Sequence, residues 1–245
     1  MKRVTSLRRH VCGLILSGVG WFGLLLLTDS IQAPYGGGLM ADAAELTVPE
    51  GTPVTSFDFE KDDLGEWQVL EGQWAVEEMT DAPSGKRVLI QRADRNAFNV
   101  IITPAGAFDR VAIDISVKFK PLSGREDASG GIVLRLTAEE YYVVRANALE
   151  NNFRLYYYDG KKWQTRASAD VRPLGLRTWH TIRVVAVGDQ IQGWLDDRLL
   201  IDYEDMRSLV RTDERLESGK VGLWTKADAV TAFDDLTIRG FASSR

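Results

Sequence analysis

The sequence predicts an all-β fold, a sandwich of two antiparallel sheets, from three observations. Apolar and polar residues alternate with period two over many short segments, turn residues separate those segments at close spacing, and helical periodicity is nearly absent. The chain has 245 residues, of which 44% are hydrophobic, enough for one medium-sized core with appended segments. Seven tryptophans are more than such a core usually takes, so some are expected to face something other than protein.

Residues 1–43 stand apart from the fold. Lys2, Arg3, Arg8 and Arg9 precede an apolar run from Val11 to Leu27, and small residues follow at Ala41-Asp42-Ala43. This is the layout of a secretory leader. The run is long for a leader and just short of a comfortable membrane span, so an uncleaved N-terminal anchor is the alternative. Either reading sends the domain out of the cytoplasm, to the periplasm or the exterior, with membrane contact only through that segment. Cleavage after Ala43 leaves 202 residues with 26 Lys and Arg against 33 Asp and Glu. That acidic balance argues against a nucleic-acid partner. Cys12 is the only cysteine and lies in the leader, so thiolate catalysis and cysteine-based zinc sites are excluded from the mature domain.

Residues 44–55 contain proline and lack a period, and read as a spacer ahead of a domain over 56–240. In the domain, Val111, Ile113, Ile115, Val117 and Phe119 alternate with Ala112, Asp114, Ser116 and Lys118. Similar strands are expected over 132–136, 141–147, 153–158, 181–187, 191–195, 221–224 and 236–238. Asp159-Gly160, Gly188-Asp189 and Asp196-Asp197 lie between consecutive strands and make them hairpins. The charged stretch from Glu204 to Gly219 is the one long connection, with room for a helical turn.

The alternation also assigns faces. Ile132, Leu134 and Leu136, then Tyr142, Val144 and Ala146, then Phe153, Leu155 and Tyr157 are expected to point inward. The opposite face then carries Arg135, Tyr141, Arg145, Asn147, Arg154, Tyr156 and Tyr158. Tyrosine rings stack on the C–H faces of sugars while Arg and Asn bond to hydroxyls, so this surface suits carbohydrate. With Val221 and Leu223 inward, Trp224 and Lys226 extend the same chemistry, and Trp224 is expected to be exposed. The plain alternative is a solvent-facing sheet rich in strand formers.

His180, on Trp179-His180-Thr181, begins a strand, and the second histidine, His10, lies in the leader. A triad or multi-histidine metal centre therefore has nothing to build on, and His180 reads as structural. Glu60, on the first strand, and Asp234-Asp235, on the last, supply hard oxygen ligands for a structural calcium if those strands are neighbours. Two solvated acidic turns are the alternative.

Several segments carry a family likeness: Phe57-x-Phe-Glu60, Gly65-x-Trp67, Gly72-x-Trp74, Trp179-His180-Thr181-Ile182-Arg183-Val184, Gly219-Lys-Val-Gly-Leu-Trp224 and Phe233-Asp-Asp-Leu236. Together they resemble the 3-keto-disaccharide hydrolase domain family of the concanavalin A-like lectin and glucanase superfamily, over residues 55 to 240. The resemblance implies a jelly-roll β-sandwich of two antiparallel sheets, a concave face for carbohydrate and, in some members, hydrolysis or lyase chemistry on 3-keto-glycosides. Two family segments differ here. Ala128-Ser129-Gly130-Gly131-Ile132 stands for Asn-Ser-Gly-Ile, and Trp224-Thr225-Lys226-Ala227 stands where the family has a Gln-Asp-His-Gly type of segment. The related laminarinase-type mechanism needs paired carboxylates in a Glu-x-Asp-x-x-Glu pattern, which is absent.

Three functions remain open. One is glycan binding on Arg135, Arg145, Asn147, Tyr156, Tyr158, Trp224 and Lys226. A second is a hydrolase or lyase on 3-keto-glycosides, with Asp228 or Glu150 as acid/base and Arg145 holding developing charge. The third is an envelope protein-interaction domain using the same aromatic surface.

Overall fold

The computed structural model describes residues 44–61, 63–95, 97–138, 140–205 and 218–242. The leader over 1–43 and nearly all of the long connection after Glu204 lie outside the described residues. The strands, in chain order, are β1 (Val54–Phe57), β2 (Gln68–Glu71), β3 (Trp74–Glu78), β4 (Arg87–Gln91), β5 (Phe98–Ser123), β6 (Ser129–Leu136) and β7 (Glu140–Asn147). They continue as β8 (Asn152–Asp159), β9 (Trp163–Asp170), β10 (His180–Val187), β11 (Gln190–Leu195), β12 (Arg198–Glu204), β13 (Ser218–Lys226) and β14 (Val230–Ala242).

β5 organises the fold. Its first half pairs with β13 on one side and β2 on the other, whereas its second half pairs with β10 and β14. A strand of 26 residues cannot stay flat. Pro104 and Gly106, with φ of +83°, fall where the partners change, and there the strand passes from one layer to the other. The first layer runs β2-β5-β13-β6-β7-β8-β9, and the second runs β12-β11-β10-β5-β14, with β1 and β4-β3 continuing beyond β14. All the pairings are antiparallel.

The core lies between the layers. Ile113, Ile115, Val117 and Phe119 from β5 meet Ile132, Leu134, Tyr142, Val144, Phe153, Leu155, Val221 and Leu223 from the first layer and Ile182, Val184, Ile191, Phe233 and Ile238 from the second. Burying one such side chain is worth about 1.5–3 kcal/mol. The inward faces are therefore those the alternation predicts, up to Leu134. The expected hairpin turns are present, and Asp196 and Asp197 both have positive φ, the conformation that a two-residue hairpin joining β11 to β12 requires.

At Arg135 the alternation breaks. Its φ is +56°, and the ladder with β13 slips so that Lys220 faces Leu136 while Gly222 faces Val133. The extra residue is a β-bulge, which turns every later side chain to the other face. Leu136, expected in the core, instead joins Val133, Tyr141 and Val143 on the outer face. Arg135, expected among the outer cations, donates from Nη2 to the Gly188 carbonyl at 2.6 Å in the β10–β11 turn. It belongs to the end of the sandwich and not to the carbohydrate surface.

Candidate functional site

The outer face of the first layer is strongly curved. Phe98 on β5 and Trp163 on β9 are separated by four intervening strands, about 24 Å on a flat sheet, yet their ring centroids are 4.6 Å apart. The two edges have curled toward each other, so this face is concave. Trp163 sits at the centre of an aromatic cluster, with centroids 4.9 Å from Tyr158, 5.7 Å from Tyr141 and 5.8 Å from both Tyr156 and Trp224.

The bridge divides the face in two. On one side lies a cavity of about 230 Å³ lined by Phe98, Arg145, Tyr156, Trp163, Trp224 and Lys226. On the other lies a wider depression of about 550 Å³, lined mainly by apolar and aromatic groups that include Leu70, Val100, Leu136, Tyr141 and Tyr158. Phe98 borders both. Of the residues expected at a sugar surface, Arg145, Tyr156, Trp224 and Lys226 come together at the smaller cavity, and Tyr158 falls to the larger one. Trp224 is not exposed as expected, being 1% accessible. Phe98 and Trp163 cover it, because the sheet closes over this part of its own face.

Arg145 forms the floor. It is 2% accessible, and it donates to Asn152 Oδ1 at 2.6 Å, to Glu150 Oε2 at 3.0 Å and to Tyr156 Oη at 3.0 Å. Arg154 donates to the same Tyr156 oxygen at 3.1 Å. Gly131, across the β6–β7 ladder from Arg145, leaves the space for it, since a Cβ there would lie 2.8 Å from Arg145 Cβ. Glu150 is 42% exposed at its side chain. Burial raises its pKa, but hydrogen bonds from Asn152 and Arg145 outweigh that and hold its carboxyl below the usual carboxylate range. It is ionised at neutral pH.

Asn147 is buried and lies behind the surface. Its Oδ1 accepts from the backbone N–H groups of Leu149 and Glu150, and its Nδ2 donates to Asp127 at 2.9 Å. It shapes the β7–β8 turn that carries Glu150. Asp127 is buried, and burial pushes its carboxyl up against the pull of Ser129, Arg145 and Lys226. Lys226 Nζ stands 4.0 Å from it, with a side chain 42% exposed at the cavity.

Asp228 has a different environment. Its carboxylate accepts backbone N–H groups from Arg125, Glu126 and Asp127 at 2.7, 3.0 and 3.1 Å. Burial raises its pKa, but these three donors outweigh that and hold it low. Both oxygens are occupied in tying the 124–127 turn to the start of β14, and Asp228 does not border the smaller cavity.

The acidic residues expected to hold calcium are likewise engaged. Glu60 Oε1 accepts from Lys86 N and Arg87 N at 2.8 Å each, and Asp234 accepts from Ser84 N at 3.0 Å. Both fix the turn between β3 and β4. Asp235 is paired with Lys118 at 2.7 Å, an ammonium where a calcium site needs oxygen. Among the described residues no group of three or more His, Cys, Asp or Glu is gathered for a metal, so these side chains do not fit calcium. His180 binds Asp196 through Nδ1 and the Leu174 carbonyl through Nε2, both at 2.7 Å, and clamps strand ends.

Two residues at the site escaped the sequence reading. Trp163 lies directly across the β8–β9 hairpin from Tyr158, so the Asp159-Gly160 turn was the signal that could have placed it. Phe98 alternates with Val100 and Ile102 in the half of β5 that went unread as a strand.

Residues 53–239 match the family described as the 3-keto-alpha-glucoside-1,2-lyase-like domain. No curated protein matches the chain. Among solved structures, the carbohydrate binding module CBM66 from Bacillus subtilis is similar at a TM-score of 0.58 and 19% identity, covering 71% of this chain and 95% of that one. A putative glycosyl hydrolase from Parabacteroides distasonis is similar at a TM-score of 0.51 and 14% identity, covering 76% and 100%. At these identities the likeness is one of fold: a jelly roll of the carbohydrate-binding and glycoside hydrolase-like kind.

Proposed function

The chain belongs to the 3-keto-alpha-glucoside-1,2-lyase-like domain family, and we propose that it is an exported carbohydrate-recognising domain that holds one sugar ring in the cavity beneath Trp163. The observation that carries this reading is the cavity itself, a concave site walled by Phe98, Trp163 and Trp224 and floored by Arg145. Flat rings stack on sugar C–H faces, and buried N–H donors fix orientation. Its volume of about 230 Å³ lies under the range of about 300–1,000 Å³ usual for drug-sized ligands. It therefore suits a single terminal ring rather than the run of a polymer. The carbohydrate-binding module and hydrolase of similar fold support the same class of ligand. Export rests on the leader-like residues 1–43.

A glycan screen by calorimetry tests the proposal. Saturable binding without product is expected, weakened about tenfold or more by Trp163→Ala and by Phe98→Ala, since aromatic anchors carry much of such an interface. A screen in which no sugar binds would overturn it.

The family description and the position of Glu150 favour one second reading. Elimination from a 3-keto-glycoside needs a base for the proton on the carbon beside the keto group, a cation for the enolate oxygen, and departure of the glycosidic oxygen, which takes a proton from water. Glu150 is ionised and touches Arg145, and Lys226 is close by. Hydrolysis by two flanking carboxylates has less support, because none of the described residues lining the cavity is acidic. Product release from a 3-keto-glycoside, abolished by Glu150→Gln, is the result that would favour the lyase.

A further inference from the structure

Resting on that reading of the cavity, we propose that the sugar it selects is acidic, with a carboxylate turned toward Arg145 and Lys226. The argument is an inventory of hydrogen-bonding capacity. Trp163 Nε1, Trp224 Nε1 and Arg145 Nε are buried and have no hydrogen-bond partner among the described residues, and all three belong to side chains that line the cavity. Indole and guanidinium nitrogens donate and do not accept, and the Lys226 ammonium is also a donor alone. Tyr156 is the one lining side chain with an acceptor, and its oxygen already receives hydrogen bonds from Arg145 and Arg154. A hydroxyl oxygen has two lone pairs, so its remaining capacity is its own proton. The cavity thus presents donors almost exclusively.

A neutral sugar matches this poorly. Each of its hydroxyls brings a proton that would enter a site without free acceptors, and leaving buried polar groups unsatisfied weakens binding. A carboxylate accepts at up to about four lone-pair positions and carries no proton. Charge points the same way. The cations Arg145, Arg154 and Lys226 outnumber the carboxylates Glu150 and Asp127, and Glu150 Oε2 is already shared between Arg145, Asn152 and Arg154. Lys226 is 4.0 Å from Asp127, beyond hydrogen-bond contact, and its half-exposed ammonium can swing toward an anion.

The test is calorimetry on the purified chain with an oligosaccharide ending in glucuronic acid and the same oligosaccharide ending in glucose, at low and at high salt. A preference for the acid of about tenfold or more is expected, shrinking as salt rises, and Lys226→Gln should reduce that preference several-fold. Glucose binding as tight as glucuronate would overturn the acidic-sugar proposal while leaving carbohydrate recognition intact. A preference unchanged in Lys226→Gln would also overturn it, because the selectivity would then come from elsewhere on the surface. Silence with both sugars, and with every glycan of the wider screen, would remove the site reading on which the proposal stands.

Discussion

His180 shows how a single side chain can be mistaken for chemistry. Its two ring nitrogens both face acceptors, Asp196 and the Leu174 carbonyl, an arrangement that only the doubly protonated ring satisfies in full. Burial works against the charge, but the Asp196 and Leu174 contacts outweigh it and raise the pKa above the ordinary value. Asp196 responds in the opposite sense and is held low. A group whose folded pKa lies above its unfolded pKa adds stability below the unfolded value and loses it as pH rises through the folded one. The stability difference between the protein and His180→Gln is therefore expected to be largest near pH 5. It should shrink by about 1 kcal/mol toward pH 9, after allowance for screening at half-exposed Asp196. Urea denaturation of both proteins across that range measures it, and a difference that grows with pH would refute the charged-ring account. Arg145 and Asp228 stand beside His180 in this respect: one is a charged group that reaches a cavity, the other a charged group consumed by three backbone donors.

At the level of elements, the fold depends on a few positions where backbones approach closely. Gly222 on β13 lies between β5 and β6, and a Cβ there would come within 2.3 Å of the Ile101 carbonyl oxygen. Its requirement is one of space. Gly222→Ala is expected to destabilise the protein by about 1–3 kcal/mol, the range for forcing volume into a packed interior, as read from the midpoint of urea unfolding. The same neighbourhood explains what the sequence could and could not reveal. Strands such as β7 and β8 alternate cleanly and were legible, as were the turns at Gly188 and at Asp196-Asp197. The bulge at Arg135 was not, because one extra residue leaves no mark on composition yet reverses the face of everything after it. β2, β3, β9 and β12 also escaped, since short or edge strands expose both faces in part and lose the contrast on which alternation depends. The site suffered from the same gap. Arg145 and Tyr156 were found from their own strands, but curvature, which buries Trp224 and brings Phe98 to Trp163, is a property of the whole sheet.

For the molecule as a whole, the long β5 is the decisive feature. Its two halves lie in different layers, so neither layer keeps a complete set of strand partners if the other is lost. The largest hydrophobic cluster also draws on both layers, from Ile132 and Leu155 in one to Val184 and Ile238 in the other. Separate unfolding of the layers would expose that cluster and leave part of β5 without a ladder, which costs far more than the partial gain in chain entropy returns. The described domain should therefore unfold in one step. Tryptophans report on both layers, Trp163 and Trp224 on the concave sheet and Trp74 and Trp194 on the other, while far-ultraviolet circular dichroism reports on all the strands. The urea curves from fluorescence and dichroism are expected to coincide, and Gly222→Ala, although placed in the first layer, should shift both by the same amount. Two resolved transitions, or a shift confined to one probe, would mean that β5 divides at Pro104 and Gly106 into independently stable halves. The concave site would then be held by its own sheet alone.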